Sequence, residues 1–250
     1  MTDRARVDLL GVPLDPRTAH ESVVDLFELV DRAGDCAHLV TLNPEYVMAA
    51  RRDATFQAAI ARADLILADG AGVVLAARWL GAGVVERLTG VEIVERLAER
   101  GACLFFLGAG PGVAVAAAEK LSARYSRARI GGIWAAGSAH GDDDAEALER
   151  VAVSGATVVA VAYGARGQVF WIDRNREALT RAGVRLALGV GGAFDYLAET
   201  SARPPARIRR LGLEWLWRLG REPWRWRRQL VLPKFALLTV FAGIHQRLRR

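Results

Sequence analysis

The sequence predicts an α/β fold: a Rossmann-like, mostly parallel sheet with flanking helices, followed by a basic C-terminal helical appendage. Three observations carry this. Short apolar runs alternate with helical patterns, several of those patterns open on glycine or a capping residue, and the composition changes near residue 203. Strand then helix, repeated, is the pattern of a parallel sheet covered on both faces.

Apolar runs suited to buried strands occupy residues 38–42, 65–67, 103–107, 157–161 and 185–190. Helical patterns lie at 45–62, 72–79, 91–100, 112–124, 143–154 and 169–182. Asp142-Asp143-Asp144 and Gly110-Pro111-Gly112 supply the starts of two of them. In such a sheet ligands sit at the carboxyl ends of the strands. The residues just after each run therefore matter most: Thr41 and Asn43, Asp69-Gly70, Gly108 to Gly110, Gly164, and 189–195. A boundary is expected at 202–205, where Arg203-Pro204-Pro205 breaks the pattern. It divides a core, residues 1–202, from an appendage, residues 203–250. In the appendage Leu211, Trp215 and Leu219 share one helical face, and Arg210, Glu214 and Arg218 another. The apolar stretch 230–244 contains Pro233 and Lys234. Its clean part, 235–244, is shorter than the roughly 20 residues a bilayer span needs, and is expected to lie along a surface.

Of the 250 residues, 52% are hydrophobic and 25% charged, which excludes wholesale disorder. Two cysteines, Cys36 and Cys103, stand far apart with no Cys or His at ligand spacing. That excludes a disulfide framework and a zinc site and fits a reducing compartment. No secretory leader is expected, because acidic residues stand where a basic segment should be. The net charge of +6 hides an asymmetry. Residues 203–250 hold 13 Lys and Arg against 2 acidic residues, net +11, while residues 1–202 hold 21 against 26, net −5. Four of the seven tryptophans, Trp215, Trp217, Trp224 and Trp226, also lie in the tail. A basic, Trp-rich segment suits phosphates, anionic lipid or nucleic acid.

Four short motifs could carry chemistry. Gly108-Ala109-Gly110-Pro111-Gly112 follows a strand and opens a helix, where backbone amides can cradle a phosphate. It is not a dinucleotide fingerprint, since Val113 replaces the third glycine and Arg127-Ala128-Arg129 stand where the acidic ribose contact belongs. Its plain alternative is a tight turn. Asp142-Asp143-Asp144 has the look of a metal cluster, but it precedes a helix whose dipole acidic residues complement, and that role is preferred. Asp69 arrives where an apolar strand ends, between small residues, as a general base would; a loop or capping aspartate is the alternative. Thr41 and Asn43 point to one side of a strand end and can bind a sugar hydroxyl, or Asn43 can simply cap the next helix.

These motifs form an ordered series. It runs Thr41-x-Asn43-Pro44, Ala68-Asp69-Gly70-x-Gly72-Val73, Arg87-Leu88-Thr89-Gly90, Phe106-Leu107-Gly108 and Gly164-x-x-x-Gln168-x-x-Trp171. It continues with Gly189-Val190-Gly191-Gly192-Ala193-Phe194-Asp195 and Gly212-Leu213-Glu214-Trp215-Leu216-x-Arg218-Leu219-x-x-Glu222-Pro223-x-Arg225. Over about residues 10–228 the chain resembles the WecG/TagA/CpsF glycosyltransferases, glycosyltransferase family 26.

The resemblance implies an inverting, metal-free sugar transfer with no cofactor. The donor would be a UDP-sugar, of N-acetylmannosamine type. The acceptor would be a sugar on a polyprenyl diphosphate, in the synthesis of a cell-surface polysaccharide or teichoic-acid-type polymer. The enzyme would lie in the cytoplasm, peripheral on the inner face of the membrane. By likeness Asp69 is the base, Thr41 and Asn43 line its pocket, and Arg87 and Gln168 face the substrates. Gly108, Gly191, Gly192 and Asp195 belong to the donor side, and Arg218, Arg225 and Arg228 grip the acceptor diphosphate. The chain departs from the family pattern at Arg166, Gly167 and Val169 around Gln168, at Glu92, and at Ala198-Glu199. Other readings are a Rossmann-like enzyme using a dinucleotide or adenosyl cofactor, and a nucleic-acid-binding protein led by its tail. Against the last, the tail tryptophans lie among apolar residues beside 230–244, which suits a lipid interface better than base stacking. The tail's plainer alternative is completion of the core or of a homo-oligomer interface.

Overall fold

A computed structural model describes residues 5–205, 207–208, 212–223 and 226–249. The chain opens with a hairpin, β1 (Val7–Leu9) and β2 (Val12–Leu14), then runs through α1 (Ala19–Asp31), β3 (Ala37–Leu42), α2 (Pro44–Ala50), α3 (Ala54–Ala61) and β4 (Leu65–Ala68). The middle comprises α4 (Ala71–Trp79), α5 (Gly90–Arg100), β5 (Cys103–Gly108), α6 (Val113–Arg124) and β6 (Arg129–Trp134). It continues with α7 (Asp144–Ser154), β7 (Val158–Ala162), α8 (Ala165–Arg181), β8 (Leu186–Gly189) and α9 (Ala193–Leu197). The tail holds α10 (Glu214–Arg221), α11 (Trp226–Gln229) and α12 (Val231–Leu248).

Six strands form one sheet in the order β4-β3-β8-β7-β5-β6, every neighbouring pair parallel. The expected α/β sheet with flanking helices is therefore present. All residues of β3, β4, β5 and β8 are buried, which is why their sequences read as mainly apolar runs, with His38 and Thr41 the polar residues of β3. Helices cover both faces, and Leu39, Leu65, Leu104 and Leu188 pack in one core cluster while Val40, Leu42 and Ile66 pack in another. The edge strand β4 is shielded by the chain after the hairpin. Asp15 donates its amide to the Ile66 carbonyl at 2.9 Å and accepts the Ile66 amide on its carboxylate at 2.7 Å.

Five features differ from the pattern read in the sequence. The helical stretch 45–62 is two helices, because Asp53 takes the amides of Thr55 and Phe56 and starts α3 afresh. The strand β6, the helix α1 and the hairpin are additional elements. So is the short α9, which follows β8.

In the tail, α12 runs four residues past the end of the expected surface segment, to Leu248, with Pro233 in its first turn, where a missing amide costs nothing. It packs on α2 and α4. Phe235 and Thr239 are buried there, and a Cβ on Gly243 would overlap the Trp79 indole. Leu237, Phe241, Ile244 and Leu248 are exposed; their 4-3-4 spacing places them on one stripe away from the core. Among the described residues no helix is long and apolar enough to cross a membrane. Arg210, Leu211 and Trp224 lie outside the described residues.

Candidate active site

The carboxyl ends of β3, β4, β7 and β8 open into one cleft of about 1240 Å³, roofed by α10 and α12. Asp69 stands on its floor. The Asp69 amide donates to the Leu42 carbonyl at 2.8 Å, which fixes it beside the end of β3. Gly70 follows at φ 99°, a conformation glycine adopts without strain, and α4 begins immediately after it. The Asp69 carboxyl is half-buried. Burial and then the Glu214 carboxylate push it up to about 7, against the pull of Arg87; Glu92 adds to the rise and Arg218 opposes it. A carboxyl so poised accepts a proton effectively near neutral pH.

Arg87 is held next to this carboxyl by backbone pairing. Ala68 and Arg87 form a parallel bridge, and the Leu88 amide donates to the Ala68 carbonyl at 3.1 Å. The Arg87 guanidinium donates to Glu214 at 2.5 Å, so the core and α10 meet at a charge pair that acts on Asp69.

Thr41 and Asn43 both line the cleft. Asn43 also accepts the Tyr46 amide at 3.0 Å and caps α2, so the two roles open in the sequence coexist. Gln168 lines the cleft too, but its amide is engaged: Nε2 donates to the Tyr46 hydroxyl at 2.6 Å, and Oε1 accepts the Gly191 amide at 3.0 Å. It orders the wall rather than presenting a free group. Gly191, Gly192 and Asp195 form that wall after β8. Gly108 does not line the cleft: it ends β5 beside β7, where a Cβ would lie 2.8 Å from the Tyr163 ring, and it is its successors Ala109 and Gly110 that line the cleft.

Arg218 and Arg228 also line the cleft. The Arg218 guanidinium lies 5.0 Å from the Tyr196 ring centre and passes over Gly192, whose notional Cβ would be 2.8 Å from it. Arg228 donates to Glu45 at 2.6 Å. Arg225, assigned the same part, lies outside the described residues. The cleft also has an apolar lining, with Leu75, Trp79, Leu232 and Val240.

The departures from the family pattern have structural partners. Arg166 pairs with Asp53 and lies over the rings of Phe56 and Phe170. Gly167 lets the Ala139 side chain approach, and Val169 is buried in a core cluster. None of these three lines the cleft. Glu92 does line it, while its carboxylate accepts the Thr89 amide at 2.9 Å and hydroxyl at 2.8 Å in a capping box. Glu199 pairs with Lys120 at 2.7 Å. Asp144 begins α7, and burial of its carboxyl is outweighed by hydrogen bonds from Arg174 and Asn175 that hold it low.

Sequence reasoning gave no role to Glu214 or Tyr46. A signal for Glu214 was present: it is one of only 2 acidic residues in the strongly basic tail. The other, Glu222, lies 3.6 Å from Arg218.

Comparison with known proteins agrees with this architecture. The chain is 33% identical over 210 residues to an N-acetylglucosaminyldiphosphoundecaprenol N-acetyl-beta-D-mannosaminyltransferase of Bacillus spizizenii, covering 82% of this chain and 79% of that protein. It is 30% identical over 208 residues to the protein of the same name from Bacillus subtilis, with the same coverage, 82% and 79%. The sequence model of the glycosyl transferase WecG/TagA/CpsF family matches residues 7–249, tail helices included. The cleft at the strand ends and the chain-long match lead to one conclusion: this protein is a glycosyltransferase and belongs to the WecG/TagA/CpsF family.

Proposed function

We propose that the protein moves N-acetylmannosamine from a UDP-linked donor to an N-acetylglucosaminyl diphosphate carried on a polyprenol, with inversion and without a metal ion. The relatives' name supplies the acceptor and the sugar. The observation that carries the reading is Asp69, a carboxyl pushed up to about 7 on the floor of a cleft lined by both arginines and apolar side chains. Asp69 takes the proton of the acceptor hydroxyl. The oxygen attacks the anomeric carbon opposite the diphosphate, and the carbon–oxygen bond to phosphate breaks with its electrons leaving on UDP. Thr41 and Asn43 orient the sugar. The wall of Gly191, Gly192 and Asp195, ordered by Gln168, receives the nucleotide, with Ala109 and Gly110 after Gly108 completing the lining.

Arg218 and Arg228, with Arg225, meet the acceptor diphosphate, and Arg218 over Gly192 reaches the donor side. Guanidinium groups are suited to this pairing. The carboxylate of Asp144 is already held by Arg174 and Asn175, which favours arginine over a cation bound at 142–144 as the counter-charge.

The appendage would dock on the anionic inner face of the cell membrane. Each Lys or Arg near such a surface contributes about 1 kcal/mol, and the stripe of Leu237, Phe241, Ile244 and Leu248 adds apolar burial. The test is a panel of UDP-sugars with a short-chain prenyl-diphosphate N-acetylglucosamine acceptor and purified protein, with and without excess EDTA. Transfer from UDP-N-acetylmannosamine that survives EDTA is expected. Failure with every donor contradicts the transfer, and loss on chelation restored by manganese or magnesium contradicts the metal-free step.

A further inference from the structure

Two features press α10 onto the floor of the cleft. Gly212, at φ 70°, sits so close to the first residue of α4 that a Cβ on it would overlap the Ala71 side chain. Two residues later, at the start of α10, Glu214 closes on Arg87, 127 positions away in the chain, at 2.5 Å. Both ends of that ion pair are largely shielded from solvent. Arg87 cannot follow Glu214 if α10 moves, because its own backbone is bridged to Ala68, the residue before Asp69. The guanidinium therefore has two acidic neighbours, Asp69 on its own side of the cleft and Glu214 on the appendage.

We propose that Glu214 is a positioning residue that draws the Arg87 cation away from Asp69, so that the base is fully formed only when α10 is seated on the core. This rests on Asp69 being the base, as above. An arginine left to Asp69 alone would form an ion pair with it, and a paired carboxylate is a weak proton acceptor. With α10 seated, the guanidinium is shared with a second carboxylate, and the negative charge of Glu214 adds directly to the field at Asp69. The groups facing Asp69 are Glu214 from α10, Arg87 from the segment before α5, Glu92 from α5, Arg218 from α10 and the phenol of Tyr46 from α2. Only Glu214 and Arg218 arrive with the appendage, so lifting α10 removes one negative and one positive group and returns Arg87 to Asp69. Seating of the tail thus couples to proton affinity at a catalytic carboxyl rather than only to closure of the cleft.

The experiment is a carboxyl ¹³C NMR titration of the full chain, with the Asp69 signal assigned by its loss in Asp69→Asn. Glu214→Gln keeps the shape and an acceptor for Arg87 but removes the charge, and Glu214→Asp keeps the charge. The Asp69 midpoint is expected to fall by about one pH unit in Glu214→Gln and to stay nearer wild type in Glu214→Asp. The acid limb of the kcat profile should move to lower pH with it, with a lower plateau, while donor KM changes little. An Asp69 midpoint equal in wild type and Glu214→Gln would overturn the proposal. The titration needs no substrate, so a shifted midpoint in a protein that fails to transfer sugar would count against the donor and acceptor assignment alone.

Discussion

Gln168 binds Gly191: its side-chain oxygen accepts the Gly191 amide at 3.0 Å while its nitrogen donates to Tyr46 at 2.6 Å. One buried amide thus joins α8, α2 and the loop after β8. Glycine at position 189 is part of the same arrangement, since a Cβ there would lie 2.5 Å from the Gln168 nitrogen. Replacing Gln168 with Leu strands the Tyr46 hydroxyl and the Gly191 amide, at about 1–3 kcal/mol for each buried group left unpaired. Steady-state kinetics should show donor KM rising at least about tenfold, with a smaller fall in kcat. An unchanged donor KM would mean that the glycine wall does not hold the donor.

A second prediction concerns stability near the site. Arg17 and Asp25 form a buried ion pair at 3.0 Å, and the Arg17 carbonyl accepts the Glu86 amide at 2.9 Å, next to Arg87. Burial raises the Asp25 carboxyl despite Arg17. Asp25→Ala removes the carboxylate paired with a buried guanidinium and should cost about 3–5 kcal/mol in urea unfolding. Arg17→Met with Asp25→Leu should recover most of that loss. A single variant within about 0.5 kcal/mol of wild type would contradict the assignment.

The strands that the sequence revealed are those buried on both faces, where an apolar run is unambiguous. The strand β6 hid behind Gly131 and Gly132, where Cβ atoms would come within 2.9 Å of the Cys103 sulfur and 2.6 Å of the Phe105 ring. Packing excluded the β-branched residues that mark a strand. The helix α1 carried a legible signal in Thr18-x-x-Glu21, a capping box that the structure shows closed from both sides. At the site, Thr41, Asn43 and Asp69 were legible because a strand end places them together. The Glu214–Arg87 pair was not, because no local rule links positions 127 residues apart.

The proposed reading gives the tail two functions that can be separated. Leu237 and Phe241 are exposed, so Leu237→Glu with Phe241→Glu should fold normally while losing flotation with anionic vesicles and most transfer to a long-chain acceptor. Transfer to a water-soluble acceptor should persist. Arg218→Ala should do the reverse, keeping vesicle binding and losing transfer to both. Equal vesicle binding by the double glutamate variant would remove the membrane role of this stripe.

Asp69 also sets a pH dependence of stability. Its folded-state pKa lies above the ordinary 3.8, at about 7, so the folded chain holds this proton more tightly. The stabilisation is full below about 3.8 and is lost as pH rises to about 7, at about 1.4 kcal/mol per unit before solvent screening. Asp69→Asn escapes that loss. Its melting temperature relative to wild type should climb between pH 4 and pH 7 and then level off. A difference constant from pH 4 to pH 8 would mean an unshifted carboxyl.

The most direct measurement is the rate of sugar transfer by Asp69→Asn across pH. If Asp69 is the base, wild-type kcat falls as pH drops through about 7, because the carboxylate that must take the proton is already protonated. Asp69→Asn should bind donor with near wild-type affinity, lose about 10²- to 10⁴-fold in kcat at pH 8, and show no acid limb near pH 7. Transfer by this variant at close to the wild-type rate, with the acid limb still in place, would contradict the account.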